Sequence, residues 1–186
     1  MIHTTLNRIR ACSPCTEGWT KLLSSLGKTK ADDEPLSMTD IIDSNGLDDA
    51  LWCLRAEPQH SAIWRMLAVH YANKVRHLIT DEKTIAVINV ALRHAHGMAT
   101  DGDLQYARDP LGCEWAVAAT VARADAAEAA WDTAFLTAGI APSGIEYGPT
   151  RTRKLNAFRA EQSDDLRTVL THYNANPGEA IHGWSS

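Results

Sequence analysis

The sequence predicts an all-α protein: one single-domain bundle of about seven to nine helices, joined mainly as antiparallel pairs. Three observations predict it. Apolar residues recur at helical spacing from Cys15 to Tyr173, as they do on the buried face of a helix. No segment shows the apolar–polar alternation of a half-buried strand. Helix start and stop residues bracket the apolar runs, most clearly in TDEKTIAVINVALRHAHG at 80–97.

In chain order, CSPCTEGWTKLLSSLGKT comes first, with Cys15, Trp19, Leu22, Leu23 and Leu26 on one helical face and Gly27 as the stop. Ser37 caps a short helix in MTDIID, SNG at 44–46 makes a turn, and LDDALWCLRA forms a second short helix that buries Leu51, Trp52 and Leu54. Pro58 breaks the chain before a helix over 60–80, where Ile63, Leu67, Tyr71, Val75 and Leu78 form one stripe. The 80–97 segment follows almost at once. Thr80 is its N-cap, Asp81 and Glu82 complement the dipole, and Gly97 stops it. Only Glu82, Asn89, Arg93 and His96 form a polar stripe, so this helix is expected in the middle of the bundle.

Thr100 caps a shorter helix through Arg108, and Pro110 permits a new start. Cys113–Ala138 reads as one long helix with 11 Ala in 26 residues. Alanine costs no side-chain entropy and lets a neighbouring backbone approach. A Gly- and Pro-rich loop, 139–150, precedes two shorter helices, the first holding Leu155 and Phe158. Ser163, Asp164 and Asp165 start the second, which holds Leu166, Val169, Leu170 and Tyr173. Residues 1–174 are expected to form the domain and 175–186 a flexible tail.

The composition is that of an ordinary globular chain, 45% hydrophobic and 22% charged. The opening MIHTTLNRIR has no apolar h-region, and no apolar run reaches the roughly 18 residues of a membrane span. A cytoplasmic setting with reduced thiols is therefore expected for the four Cys. A net charge of −5 argues against non-specific nucleic-acid binding.

Chemistry-bearing patterns are few. Cys12-Ser-Pro-Cys15 could lower a thiol pKa at a helix start or supply half of a zinc site. It lacks both the βαβ context of redox proteins and further ligands at motif spacing. His70 and His77 share a helix face, without an HExxH-type pair. Walker A, Rossmann and G-x-S-x-G patterns are missing from the sequence. No catalytic residue, metal or cofactor is therefore assigned, and no enzyme activity is expected.

Two charge clusters remain. Arg151, Arg153, Lys154 and Arg159 are basic and could meet nucleic acid, although no aromatic interleaving supports this. From Ala31 to Leu54 there is no Lys or Arg, while Asp32, Asp33, Glu34, Asp40, Asp43, Asp48 and Asp49 supply seven acids beside Trp52. These eight residues are the expected contact surface for a protein partner.

The segments CSPCTEGW, LDDALWCLRA and AVHYANKVRHLITDEKTIAVINVALRHAHGMATDGDLQYAR resemble a group of phage and prophage proteins. Those are similar in turn to the immunity proteins of bacterial toxin systems. The resemblance covers roughly 10–136, with HLITD and His94-Ala-His-Gly97-Met-Ala-Thr100 its most distinctive parts and an echo at Gln162 and Leu166. It implies a helical protein that binds and neutralises a host or rival protein, and it carries over no catalytic residue. The acidic 32–49 tract and the 139–150 loop depart from the pattern. The alternatives are a nucleic-acid-binding regulator using the 151–159 cluster, or a zinc or thiol protein using Cys12 and Cys15.

Overall fold

A computed structural model describes residues 1–108, 116–140 and 148–175. Among these residues the fold is all-α, with ten α-helices, three short 3-10 turns and one two-residue ladder. The chain divides into two compact units, Met1–Gln59 with Ser163–Ser186, and His60–Gln162.

In the first unit, strand β1 (His3–Thr4) pairs antiparallel with β2 (Leu36–Ser37), His3 opposite Ser37. Helix α1 (Leu6–Ala11) starts at Thr5, whose Oγ1 accepts the Arg8 N–H at 3.2 Å. Helix α2 (Thr16–Ser25) starts at Cys15 and ends before Gly27, which takes the left-handed φ of +65°. A Cβ there would be strained, and this is the stop expected from the sequence. Ser37 caps α3 (Met38–Asn45) as expected. Gly46, at φ +96°, then turns the chain directly into α4 (Leu47–Cys53). Ile2, Leu6, Ile9, Leu22, Met38, Ile41, Leu51 and Leu54 are buried together with Leu166, Val169 and Leu170. The N-terminus is bound at both backbone groups of Ile2: its N–H donates to Leu170 O, and its carbonyl accepts the Met38 N–H, each at 3.1 Å.

The second unit is built around α5 (Ser61–Lys74), which packs against α6 (Glu82–Ala95), α8 (Ala116–Val121) and α9 (Ala126–Ile140). The expectation that the 80–97 segment takes the middle is corrected here. Helix α6 buries one face, through Thr84, Val87, Ile88, Ala91 and Ala95, while Leu92 is half-buried and Ala86 exposed. Helix α5 buries Ile63, Trp64, Arg65, Leu67, Ala68, Val69, Tyr71 and Ala72 around most of its circumference. Its apolar stripe is the expected one up to Val75, after which a 3-10 turn (Arg76–Leu78) ends the helix and leaves Leu78 exposed. The cap of α6 is Asp81, whose Oδ2 accepts the Thr84 N–H at 2.6 Å, and not Thr80. A carboxylate at that position adds a dipole interaction to the hydrogen bond, which a hydroxyl does not. Helix α7 (Asp101–Arg108) has the expected bounds. Thr100 and Asp103 cap it reciprocally: Asp103 N–H donates to Thr100 Oγ1 at 3.1 Å, and Thr100 N–H to Asp103 Oδ2 at 2.8 Å.

The single helix expected over 113–138 is two. Helix α8 ends at Val121, and α9 begins at Ala126 under an Asp125 cap that accepts the Glu128 N–H at 2.8 Å. The break is held by Arg65, 1% exposed, which donates to Val121 O at 2.8 Å and Ala124 O at 3.0 Å. Burial pulls its pKa down from 12.5 to about 10, so the guanidinium stays charged at neutral pH. The expected pair of final helices is instead one, α10 (Pro149–Ala175). No Gly or Pro interrupts it after Pro149. Ser163, Asp164 and Asp165 lie within its ladder. The start of the expected 113–138 helix, with Pro110 and Cys113, most of the 139–150 loop and nearly all of the expected tail lie outside the described residues.

Ile88→Ala is expected to cost about 2–5 kcal/mol, Leu92→Ala about half that, and Asn89→Ala less than about 0.5 kcal/mol, in urea denaturation. The order follows buried, half-buried and exposed positions on α6. Thr100 holds the Asp103 carboxyl below its ordinary 3.8, first through the backbone N–H and then through the hydroxyl. The folded state thus binds fewer protons than the unfolded, and the cap's contribution is complete above 3.8 and lost as pH falls through the lowered value. An NMR carboxyl titration is expected to find Asp103 below 3.8.

Candidate interaction surface

Formal charge divides unequally between the two units. The first carries seven Lys and Arg against twelve Asp and Glu, the second eleven of each. The whole net charge of −5 therefore belongs to the first unit.

Within that unit the eight sequence-predicted residues have different local partners. Asp32 and Glu34 both meet the Lys28 ammonium, at 2.6 and 2.8 Å. The Lys28 hydrogen bond holds the Asp32 carboxyl below its usual range, and its two acids raise the lysine in turn. Asp33 is exposed beside this pair. On α3, Asp40 is an exposed first-turn acid, while Asp43 binds Arg167, 124 residues further along the chain. On α4, Asp48 is exposed, and Asp49 is half-buried with its Oδ2 accepting from Asn45 Nδ2 at 2.8 Å. Trp52, expected to bury, is only half-buried: the Arg55 guanidinium covers its ring at 4.5 Å and donates to the Trp52 carbonyl at 2.9 Å. A cation over an indole face is a favourable contact.

Lys28 lies four residues before Asp32 in a non-helical segment, where nearness in sequence is the one signal for the pair. Arg167 gives no such signal, because its proximity to Asp43 exists only in the folded chain. Gly18 is a third residue that the sequence reading did not single out. A Cβ built on it would fall 2.9 Å from Asp49 Oδ2 and 3.3 Å from Cys15 Sγ, so a larger residue there would require the Asp49 carboxylate to shift. The Gly18 carbonyl accepts from Asn45 Nδ2 at 2.9 Å.

The remaining candidates are placed as follows. Cys15 is exposed at the start of α2 with Sγ accepting the Gly18 N–H at 3.4 Å, and Cys12 is half-buried at the end of α1. Cys53 is buried, which together with nearby Asp49 and Cys12 pushes its thiol up to about 12. Among the described residues no group of three or more His, Cys, Asp and Glu is arranged to hold a metal ion. His77 falls in the 3-10 turn beyond α5 and so leaves the helix that carries His70. His94 Nε2 pairs with Asp101 Oδ1 at 2.8 Å. In the basic cluster Arg153 and Lys154 are exposed, while Arg151 and Arg159 are half-buried and Arg159 donates to Gln162 Oε1 at 3.0 Å. A cleft of about 230 Å³ is lined by Asp101, Leu104, Gln105, Arg108, Ala122 and Ala124. Among the described residues no helix is long and apolar enough to cross a membrane.

No family model matches this chain, and neither does any curated protein or solved structure.

The partners set the expected stability order within the acidic tract. Asp33→Asn and Asp40→Asn are expected to change stability by less than about 0.5 kcal/mol in urea denaturation. Asp49→Ala, which removes the acceptor for Asn45 Nδ2, is expected to cost about 0.5–1.5 kcal/mol.

Proposed function

We propose that this protein acts by binding another protein, host or rival, and neutralising it, with the acidic face of the first unit as the contact surface. The observation that carries the reading is the segregation of the entire net charge of −5 into one unit whose Asp33, Asp40 and Asp48 are exposed. A field of one sign speeds encounter with an oppositely charged partner and makes the association sensitive to salt. The partner is therefore a basic protein, met in the cytoplasm, and the action is binding without catalysis, metal or cofactor. The same reading is what the resemblance of 10–136 to phage and immunity-type proteins would imply. Asp32 and Glu34 meet Lys28, Asp43 meets Arg167 and Asp49 accepts from Asn45, and Trp52 lies under the Arg55 guanidinium.

The test is affinity capture from a bacterial host lysate, followed by binding measurements on the captured protein. Wild type is expected to retain one basic protein, with affinity falling at least tenfold between about 0.05 and 0.5 M salt as the Debye length shortens. The triple variant Asp33→Asn, Asp40→Asn, Asp48→Asn is expected to lose it while remaining folded by circular dichroism. Equal capture by wild type and variant would sink the acidic-face reading. Retention of nucleic acid alone, abolished by charge reversal at Arg153 and Lys154, would replace it with the regulator that uses the 151–159 cluster.

A further inference from the structure

Asn45 and Gly46 stand where α3 passes into α4, and each serves the junction in a different way. Gly46, at φ +96°, holds a backbone conformation that a side chain would strain. Asn45 is half-buried, with its side-chain amide and its backbone carbonyl all engaged. Its Nδ2 donates to Gly18 O on α2 at 2.9 Å and to Asp49 Oδ2 on α4 at 2.8 Å. Its Oδ1 accepts from Ser44 Oγ at 2.9 Å, and its backbone carbonyl accepts from Lys21 Nζ at 3.1 Å. The Gly46 N–H closes the last turn of α3 on Ile42 O at 3.0 Å. Asparagine is thermolabile, and most so before glycine, which has no side chain to shield its amide nitrogen. The two residues that make the junction are thus a pair open to spontaneous loss of the side-chain amide.

We propose that Asn45 is a deamidation site that the closed junction protects and that, once converted, keeps the junction from closing again. In the reaction the Gly46 nitrogen gives up its proton and attacks Asn45 Cγ. The Cγ–Nδ2 bond breaks, the amide leaves as ammonia carrying that proton, and a five-membered succinimide remains. Water opens the ring at either carbonyl and leaves aspartate or isoaspartate. Water is the one co-reactant, and nothing is oxidised or reduced. Ring closure requires Asn45 to leave the helical conformation so that Cγ meets the Gly46 nitrogen. In the folded chain this breaks the bond from Gly46 to Ile42 together with those from Nδ2 to Gly18 and Asp49. The reaction therefore runs through local opening, at a rate set by the open fraction. Its product does not restore the contacts. A carboxylate at this position has no donor for Gly18 O and faces the Asp49 carboxylate where a hydrogen bond stood. Lys21 offers little compensation, since it is exposed and bound to the backbone carbonyl. None of this requires a partner at the acidic face, so the two readings fail separately.

Peptide mapping by mass spectrometry, over a time course on the full chain at neutral pH, tests it. Asn45 is expected to deamidate at least about tenfold faster in chain unfolded by guanidinium than in folded wild type. Asp49→Ala, which removes one acceptor, is expected to speed the folded-state reaction about two- to tenfold and Gly46 amide hydrogen exchange by the same factor. Ile88→Ala, which weakens the other unit, is expected to leave both rates within about twofold of wild type. Asn45→Asp, made directly, is expected to lower the urea midpoint, and adding Asp49→Asn, which returns a donor to the pair, to recover part of the loss. Where Asn45→Asp does not fold, wild type deamidated while unfolded is compared with fresh protein for the fraction that refolds, and a lower fraction is expected. Equal rates in folded and unfolded chain would overturn the protection. Acceleration by Ile88→Ala as large as that by Asp49→Ala would assign the reaction to global unfolding and overturn local opening. Deamidated protein that refolds fully, with the urea midpoint of wild type, would overturn the claim that the product keeps the junction open.

Discussion

A helix that ends inside a protein core leaves carbonyl groups that water cannot reach, and the second unit depends on how that problem is met. Arg65, buried on α5, donates to Val121 O and Ala124 O where α8 stops. A guanidinium suits the task because its planar fork holds donors in fixed directions and it stays charged when desolvated. The charge itself is costly to bury, and this is what lowers the Arg65 pKa to about 10. Each carbonyl left unpaired would cost about 1–3 kcal/mol. The contact also sets geometry. By allowing the chain to break between α8 and α9, it lets the Ala-rich face of α9 lie along α5.

A second buried polar network works with it. Gln162 Nε2 donates to Ala134 O at 2.9 Å and Thr137 Oγ1 at 3.1 Å, and Tyr71 Oη donates to Gln162 O at 2.9 Å. The Thr133 hydroxyl reaches Thr120 Oγ1 at 3.1 Å, and the Thr137 hydroxyl returns to Thr133 O at 2.7 Å. Such bonds add modest net stability, but alternative packings would leave the same groups unpaired and are penalised for it. An alanine-rich interface has few shapes to interlock, so directional bonds decide register where side-chain volume does not. The same small residues that permit close packing on one side of α9 leave Phe135 and Gly139 facing outward on the other.

Charge follows a separate logic. Eleven basic and eleven acidic residues cancel in the unit built around α5, and the acids left over all fall in the other. There Asp40 lies in the first turn of α3 and Asp48 and Asp49 in the first turn of α4, positions that favour negative charge through the helix dipole. Structure and electrostatics therefore agree locally on Asp40, Asp48 and Asp49. Lys28 pairs with Asp32 and Glu34, and Arg167 with Asp43, while Asp33, Asp40 and Asp48 are exposed.

The sequence by itself determined the helical class, the stops at Gly27 and Gly97, the caps at Ser37 and Thr100, and the bounds of α7. Each of these depends on residues within a few positions of one another, where backbone sterics and local hydrogen bonds act. It did not determine which helix lies at the centre. Both 60–80 and 80–97 are apolar on several sides, and only the number of packed neighbours separates α5 from α6. Nor could it place the break after Val121, because the donor that satisfies those carbonyls comes from Arg65, 56 residues away. The continuity of α10 through Ser163 was hidden for a related reason: cap-forming residues signal a start only where the helix is free to end, and Gln162 is bonded into the core beside them. Of the candidate surface, the acids were legible as a run lacking Lys and Arg. Their partner at Arg167, and the neutrality of the other unit, were settled by which distant segments the fold brings together.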